Sequence, residues 1–266
     1  MCVSCNVAKL IPVDDTPEFN AWLHLRALGD KNMDLPIRFH KHYNKLSAAG
    51  KRLNYYIITE KDVQFCFEIE KKEKRTGSKC IGIDTGINML ASVNNGHQYG
   101  GDINDCIKRI KRCKKGSFGQ KRAIRALKQR IDEVAIEVVQ KENPDTIVVE
   151  NLKKMGHKSK VNKKLNKSVR RSIGSWNWRY WLIRLESQCD QNGVLFAKVE
   201  PYYTSVICPE CGCNDRENRK SSVFCCTSCG HTANADVNAG RNILARFLRA
   251  PTVPVTKKKV AHRCAG

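Results

Sequence analysis

Cys80-Ile81-Gly82-Ile83-Asp84-Thr85-Gly86 is a short apolar run, interrupted by one glycine and ended by an acid. A run of this length bounded by polar neighbours reads as a buried strand, which puts Asp84 where the strand gives way to a turn. Gly86, two positions on, has no Cβ and lets a ligand or another backbone approach that turn closely. An Asp in such a place is commonly only a turn former. Its meaning depends on what the chain sets beside it.

Working outward, Met89 to Val93 followed by Asn94-Asn95-Gly96 predicts a second strand and its turn, so the first two strands form a hairpin. Ile124, Leu127, Ile131, Val134 and Val138 recur at intervals of three and four, one face of a helix that Asn143-Pro144 stops. Thr146-Ile147-Val148-Val149-Glu150 is another apolar strand ending on an acid. Trp178, Trp181, Leu182, Leu185 and Cys189 mark a further helix, and Val194 to Val199 a further strand. Asn234-Ala235-Asp236-Val237-Asn238 opens a last helix, continued by Ile243, Leu244, Phe247 and Leu248 and closed before Pro251. Upstream, Tyr55 to Ile69 alternates about a polar Glu60-Lys61-Asp62 turn and predicts a β-hairpin. Lys71 to Lys79 is a charged linker. Residues 1 to about 50, with Pro12, Pro17 and Pro36, are expected to be irregular, and the basic tail beyond Pro251 to be mobile.

Two strands thus each deliver a carboxylate at their C-terminal end, and a helix N-terminus, whose dipole tolerates an acid, delivers a third. Asp84, Glu150 and Asp236 at one rim repel each other unless cations intervene, and hard oxygen ligands suit Mg²⁺ or Mn²⁺. Two such ions ~3.5–4 Å apart stabilise both the attacking and the leaving oxygen in phosphodiester hydrolysis. Each acid alone has an ordinary reading, and it is the combination on strand, strand and helix that favours catalysis. Asp84-Thr85-Gly86 also invites an aspartic-protease reading. Ile87 is too bulky for that loop, and neither the cysteines nor the charge would be explained. An ATPase hairpin of the Gly-x-Asp-x-Gly kind needs a second glycine-rich phosphate loop, which the sequence lacks.

Cys208-Pro209-Glu210-Cys211 and Cys226-Thr227-Ser228-Cys229 are matched Cys-x-x-Cys knuckles, fourteen residues apart and each followed by glycine, Gly212 and Gly230. Four thiolates at that spacing suit tetrahedral Zn²⁺, and a closed set of four leaves no position for substrate, so the site is read as structural. Cys213 and Cys225 adjoin the knuckles but do not give matched spacing. Cys2 to Cys5 has no partner knuckle, and Cys106 and Cys113 are too far apart to form one. The chain has 14 cysteines and no secretory signal in its first residues, which points to a reducing compartment: the cytoplasm of a bacterium or of a phage-infected cell, and not secretion.

Lys and Arg outnumber Asp and Glu by 48 to 26 across 266 residues, a formal charge of +22. Such a surface attracts polyanions, nucleic acid first. No apolar run reaches the ~18 residues of a membrane span. Eleven basic residues and no acid fall between Ile107 and Ile131, and nine more with no acid between Asn151 and Arg171. The runs flank the strand that ends at Glu150, where they are placed to hold a phosphate backbone. Lys153, Lys154, Ser168, Arg170, Arg171 and Trp176 are candidate backbone or stacking contacts, whereas Trp178 and Trp181 at helical spacing read as core.

Ile81-Gly82-Ile83-Asp84-Thr85-Gly86, Ile147-Val148-Val149-Glu150-Asn151-Leu152 and Asn234-Ala235-Asp236-Val237-Asn238-Ala239 together resemble the three catalytic segments of the transposon-encoded TnpB proteins and the related miniature type V CRISPR effectors. Tyr203-Thr204-Ser205, Cys208 to Cys211 and Phe224 to Gly230 are similar to that family's target-nucleic-acid-binding zinc ribbon. The match runs from about Tyr55 to Leu248. The resemblance implies an α/β fold with an RNase H-like (RuvC-type) mixed sheet, and RNA-guided cleavage of DNA with Asp84, Glu150 and Asp236 on the catalytic ions. It divides the chain into a reduced, β-rich, barrel-like segment at 1–78, a nuclease core at 79–202 completed by the helix at 233–250, an inserted zinc ribbon at 203–232 and a basic tail at 251–266. The partners implied are a DNA target and a guide RNA. Family members place a β-barrel with an inserted helical lobe before the first catalytic segment. Fewer than 84 residues stand there, so dimerisation or a large RNA scaffold is the expected compensation. The alternatives are a guide-independent nuclease or resolvase using the same acids, and a non-cleaving DNA-binding regulator.

Overall fold

The computed structural model describes residues 2–4, 7–13, 18–26, 32–59, 62–70, 72–152, 178–249 and 262–265. They fall in two compact units, residues 1–71 with 254–266, and residues 72–253.

The first unit departs from the irregular stretch that the sequence predicts before residue 50. β1 (Cys2–Ser4) is followed by β2 (Ala8–Pro12), β3 (Ala21–Leu25) and β4 (Met33–Ile37), of which the last three form an antiparallel sheet in that order. The prolines mislead because Pro12 ends one edge strand and Pro36 lies in the other, where a missing N–H costs no ladder bond. α1 (Lys41–Ala49) follows, its first turn closed by the His40 ring accepting from the Tyr43 N–H at 3.0 Å. β5 (Gly50–Ile58) and β6 (Val63–Ile69) are the predicted hairpin, closed by Thr59 and Asp62. A strand at His262–Ala265 pairs with β6, so this part of the tail is ordered rather than mobile. Tyr43, Tyr56, Phe65 and Phe67 meet edge-to-face at centroid separations of 5.2–5.6 Å and form the core of this unit.

The second unit is a mixed α/β fold. β7 (Cys80–Asp84), β8 (Ala91–Val93) and β9 (Gln98–Tyr99) form an antiparallel meander, and β10 (Thr146–Glu150) and β11 (Leu195–Val199) add parallel strands beyond β7. The strand order is β11-β10-β7-β8-β9. α2 (Ile103–Arg112), α3 (Phe118–Glu142) and α4 (Trp178–Asn192) cover one face and α5 (Ala235–Arg249) the other. Burial on both faces is why β10 reads as continuous Ile-Val-Val rather than as an alternation: Ile147 and Val149 join the larger core, while Val148 meets Ile243 of α5.

Local chemistry sets the ends of α3. Ser117 Oγ accepts from the Gln120 N–H at 3.1 Å, and Gln120 Oε1 accepts from the Gly116 N–H at 2.8 Å. Asn143, with φ at +42°, caps the other end in the left-handed region, and Pro144 prevents continuation. The stretch read as a charged linker is docked: Lys74 reaches the Val194 carbonyl at 2.8 Å and Arg75 the Pro144 carbonyl at 3.0 Å. Between β11 and α5 lies a small antiparallel sheet, β12 (Arg219–Lys220), β13 (Val223–Cys225) and β14 (Thr232–Asn234). Among the described residues no helix is long and apolar enough to cross a membrane.

Candidate active site and metal centre

Register decides where the first two acids go. Val149 lies opposite Ile83 in the parallel β7–β10 pair, so Asp84 and Glu150, the next residue of each strand, emerge side by side. Ile81, Ile83, Ile147 and Val149 point into the larger core, which turns Gly82, Asp84, Val148 and Glu150 toward α5. The helix lies directly on β7 there, because a Cβ at Gly82 would stand 2.2 Å from the Gly240 carbonyl oxygen. Asp236 is four residues, about 6 Å, up the helix from that contact. Asp84 is two residues, about 7 Å, up the strand. All three acids therefore face one rim.

The electrostatics agree. The Asp84 carboxyl is raised to about 7, first by burial and then by the charges of Glu150 and Asp236, against the opposing pull of Arg219. Burial also raises Glu150, opposed by a hydrogen bond from Thr204 and by the charge of Arg246. Arg219 Nη2 pairs with Asp236 Oδ1 at 2.7 Å. A group of acids that holds one member partly protonated and already attracts a guanidinium has the donor set and the excess charge that suit a hard divalent cation. The oxygens are less tightly drawn than the thiols described below: among the described residues, only the cysteine set brings all its ligand atoms within 4.8 Å of one another.

Three residues contact this rim whose part in it no local sequence pattern shows, although the first belongs to the segment Tyr203-Thr204-Ser205. Thr204, only 4% exposed, donates its hydroxyl to Glu150 Oε1. Its own loop is clamped from α5, with Asn242 Nδ2 donating to the Thr204 and Ile207 carbonyls at 2.8 and 2.7 Å and Asn238 Nδ2 to Ile207 at 3.1 Å. Arg246 holds the carbonyls of Glu200 and Tyr202. Arg219 reaches the rim from β12, so the small sheet contributes a charge to the acid group. Spacing within a strand or helix cannot show such contacts, since each crosses between elements far apart in the chain.

The four predicted cysteines converge. Cys208 and Cys229 Sγ are 3.6 Å apart and Cys211 and Cys226 Sγ 3.5 Å, close to the ~3.8 Å edge of a tetrahedron with ~2.3 Å metal–sulfur bonds. The two knuckles have the same form. Gly212 and Gly230 adopt φ of +76° and +73°, and their N–H groups donate to the Cys208 and Cys226 carbonyls, both at 3.0 Å. At that φ a side chain is strained, which accounts for glycine after each pair. Asn218, fully buried, ties the ribbon together: its amide donates to the Val206 and Cys213 carbonyls and accepts from the Thr227 N–H at 2.8 Å. The quartet fits zinc binding. Cys213 and Cys225 stay outside it. The candidate nucleic-acid contacts Lys153, Lys154, Ser168, Arg170, Arg171 and Trp176 lie outside the described residues, as does Cys5.

Residues 178–243 match the family model "Cas12f1-like, TNB domain". The chain is 42% identical over 79 residues to the CRISPR-associated endodeoxyribonuclease Cas12f1 of Sulfoacidibacillus thermotolerans, covering 27% of this chain and 19% of that one. It is 31% identical over 195 residues to the putative RNA-guided DNA endonuclease InsQ of Escherichia coli (strain K12), covering 62% and 48%. It is 28% identical over 226 residues to a TnpB-like protein of Aquifex aeolicus (strain VF5), covering 84% and 63%. The matches span between 19% and 63% of these relatives' own lengths. Asp84, Glu150, Asp236 and the cysteine quartet thus stand in a chain that is similar, over part of its length, to InsQ, Cas12f1 and a TnpB-like protein.

Proposed function

We propose that the protein is an RNA-guided DNA endonuclease whose second unit is an RNase H-like, RuvC-type nuclease core with Asp84, Glu150 and Asp236 as its catalytic acids. The carrying observation is the convergence of the three on one rim: adjacent register sets the first two side by side, and the Gly82–Gly240 contact brings the third beside them. A three-stranded antiparallel meander continued by parallel strands supports the RNase H-like assignment. The names of InsQ and Cas12f1 support the substrate and the guide.

In this reading Asp84, Glu150 and Asp236 hold Mg²⁺ or Mn²⁺, which when bound supplies charge stabilisation at both the attacking and the leaving oxygen of a phosphodiester. The chain's own residues arrange the site. Thr204 fixes the Glu150 carboxylate through one oxygen, and the other accepts no hydrogen bond among the described residues. Arg219, held against Asp236, sets a positive charge at the rim where phosphate arrives. Cys208, Cys211, Cys226 and Cys229 bind structural Zn²⁺ and thereby fix the β12–β14 sheet that carries Arg219. The N-terminal unit, with its two antiparallel sheets, is the reduced barrel-like segment, and the protein works in the cell interior, where the thiols stay reduced.

RNA guidance is tested by sequencing the RNA that copurifies and offering a matching DNA target with Mg²⁺. Cutting at the matched target that is lost after RNase treatment or target scrambling is the expected result. Cutting insensitive to both leaves a guide-independent nuclease.

A further inference from the structure

The α2–α3 hairpin carries an arrangement that the proposed centre does not use. α3 has 25 residues and is about 37 Å long, whereas β10 has five and spans about 16 Å. Its C-terminal end is fixed at the start of the strands, where Asn143 and Pro144 lead into β10 and Arg75 binds Asn143 Oδ1 at 2.7 Å. The excess length lies at the other end, which is the end of the acids. Trp181 Nε1 donates to the Thr85 hydroxyl, next to Asp84, at 3.3 Å. The neighbouring Tyr180 donates to Asp132 at 3.0 Å and lies under Lys128, whose Nζ is 5.4 Å from the ring centroid. Residues 128–132 of α3 thus mark the level of the carboxylate rim. Phe118, ten residues earlier, projects about 15 Å beyond it.

The character of the helix changes along its length. At the rim and below it the charges are paired, Arg130 with Asp102, Glu133 and Glu137, and Asp132 with Arg184. Above it no acid occurs from Cys106 to Ile131. Lys114, Lys115, Lys121, Arg122 and Arg125 are all exposed and have no ion-pair partner among the described residues. At the apex, Phe118 is 79% exposed, the most exposed of the large hydrophobic side chains described. The Ser117 cap on the Gln120 N–H, the Gln120 side chain on the Gly116 N–H and the Gly116 turn, φ +79°, hold it on a rigid end instead of a loose loop.

A free aromatic face ringed by unpaired cations is the combination that binds single-stranded nucleic acid, the cations on successive phosphates and the ring on an unstacked base. A duplex hides its base faces and offers phosphates alone. We propose that the apex of the α2–α3 hairpin is a binding site for single-stranded DNA, with Phe118 stacking on a base and Lys114, Lys115, Lys121 and Arg122 gripping the flanking phosphates. The inference rests on the nuclease reading only for the identity of the strand: the apex stands on the acids' side, where DNA arrives.

The test is fluorescence anisotropy on the full-length, zinc-loaded protein without added Mg²⁺ or Mn²⁺, with labelled (dT)₂₀, (rU)₂₀ and a 20-base-pair duplex, over a range of salt. Phe118→Ala is expected to weaken (dT)₂₀ binding about 5- to 30-fold, the loss of one stacked base. Its duplex binding should stay within about twofold and its salt slope unchanged, while Phe118→Trp retains strand binding. Lys121→Ala/Arg122→Ala is expected to weaken strand and duplex alike and to lower the salt slope by about 1 to 2. Unchanged (dT)₂₀ binding by Phe118→Ala overturns the proposal. So does an equal loss on strand and duplex, a tenfold preference for (rU)₂₀, or a dimer that Phe118→Ala dissociates without affecting DNA. Cleavage is not read in this assay. Loss of cutting in Asp84→Ala together with normal binding by Phe118→Ala would sink this site and leave the nuclease standing, and the converse pair would do the opposite.

Discussion

Asp84 is the residue whose environment asks most of the fold. Its carboxyl sits near 7 in the folded protein against 3.8 in an exposed chain, so between about pH 4 and pH 7 the native state binds more protons than the unfolded one. Stability of the cation-free protein contributed by this group therefore falls as pH rises through that window and is lowest above pH 7. Asp84→Asn removes the dependence. Without added Mg²⁺ at pH 7.5 it is expected to raise Tm by roughly 5 °C, while changing it little at pH 4. Thermal melts at the two pH values check this, and equal shifts would show that burial and the neighbouring acids do not raise the Asp84 carboxyl. Thr204 makes the complementary prediction. Thr204→Val leaves Glu150 without its hydroxyl donor and should reduce single-turnover cutting by roughly 10- to 100-fold, the worth of a hydrogen bond to a charged group. DNA affinity should hold and Thr204→Ser should restore turnover. A loss of affinity with normal turnover would assign Thr204 a different task.

At the scale of elements, the strands and helices that build the second unit are legible because apolar runs ending on acids and three-and-four periodicity are local properties. The contacts that assemble the site are not local. Gly82 reads from the sequence as an interruption in a strand, whereas its reason is the Gly240 carbonyl of a helix that begins more than 150 residues later. In the first unit the hairpin is legible, and the strands before residue 50 are hidden for two reasons. β3, Ala-Trp-Leu-His-Leu, hides its alternation because both of its faces carry apolar residues. Pro12 and Pro36 read as breakers but occupy edge strands. The cysteine quartet is legible, since spacing and glycine placement carry its signal, whereas the Arg219 and Thr204 contacts beside it are not. Cys208→Ser is expected to lose stoichiometric zinc and to expose the β12–β14 segment to proteolysis, because apolar contacts there amount to little more than Phe224 and its neighbours. Metal analysis and limited digestion check this; full zinc content with an intact ribbon would contradict the assignment of the quartet.

For the whole molecule, a charge of +22 gives affinity for any polyanion, so binding alone says little about function. What separates a guided nuclease from a basic binding protein is chemistry at one rim. The relatives by name include RNA-guided DNA endonucleases, and the matches span at most 63% of the length of those compared, so activity has to be measured on this chain. The most direct measurement is single-turnover cleavage of a DNA target matched to the copurifying RNA, in Mg²⁺, by the wild-type protein and by Asp84→Ala. Both proteins should bind the target equally, and only the wild type should cut it, with no cutting until Mg²⁺ or Mn²⁺ is added. Undiminished cutting by Asp84→Ala would contradict the account, because the three acids would then not be the catalytic centre.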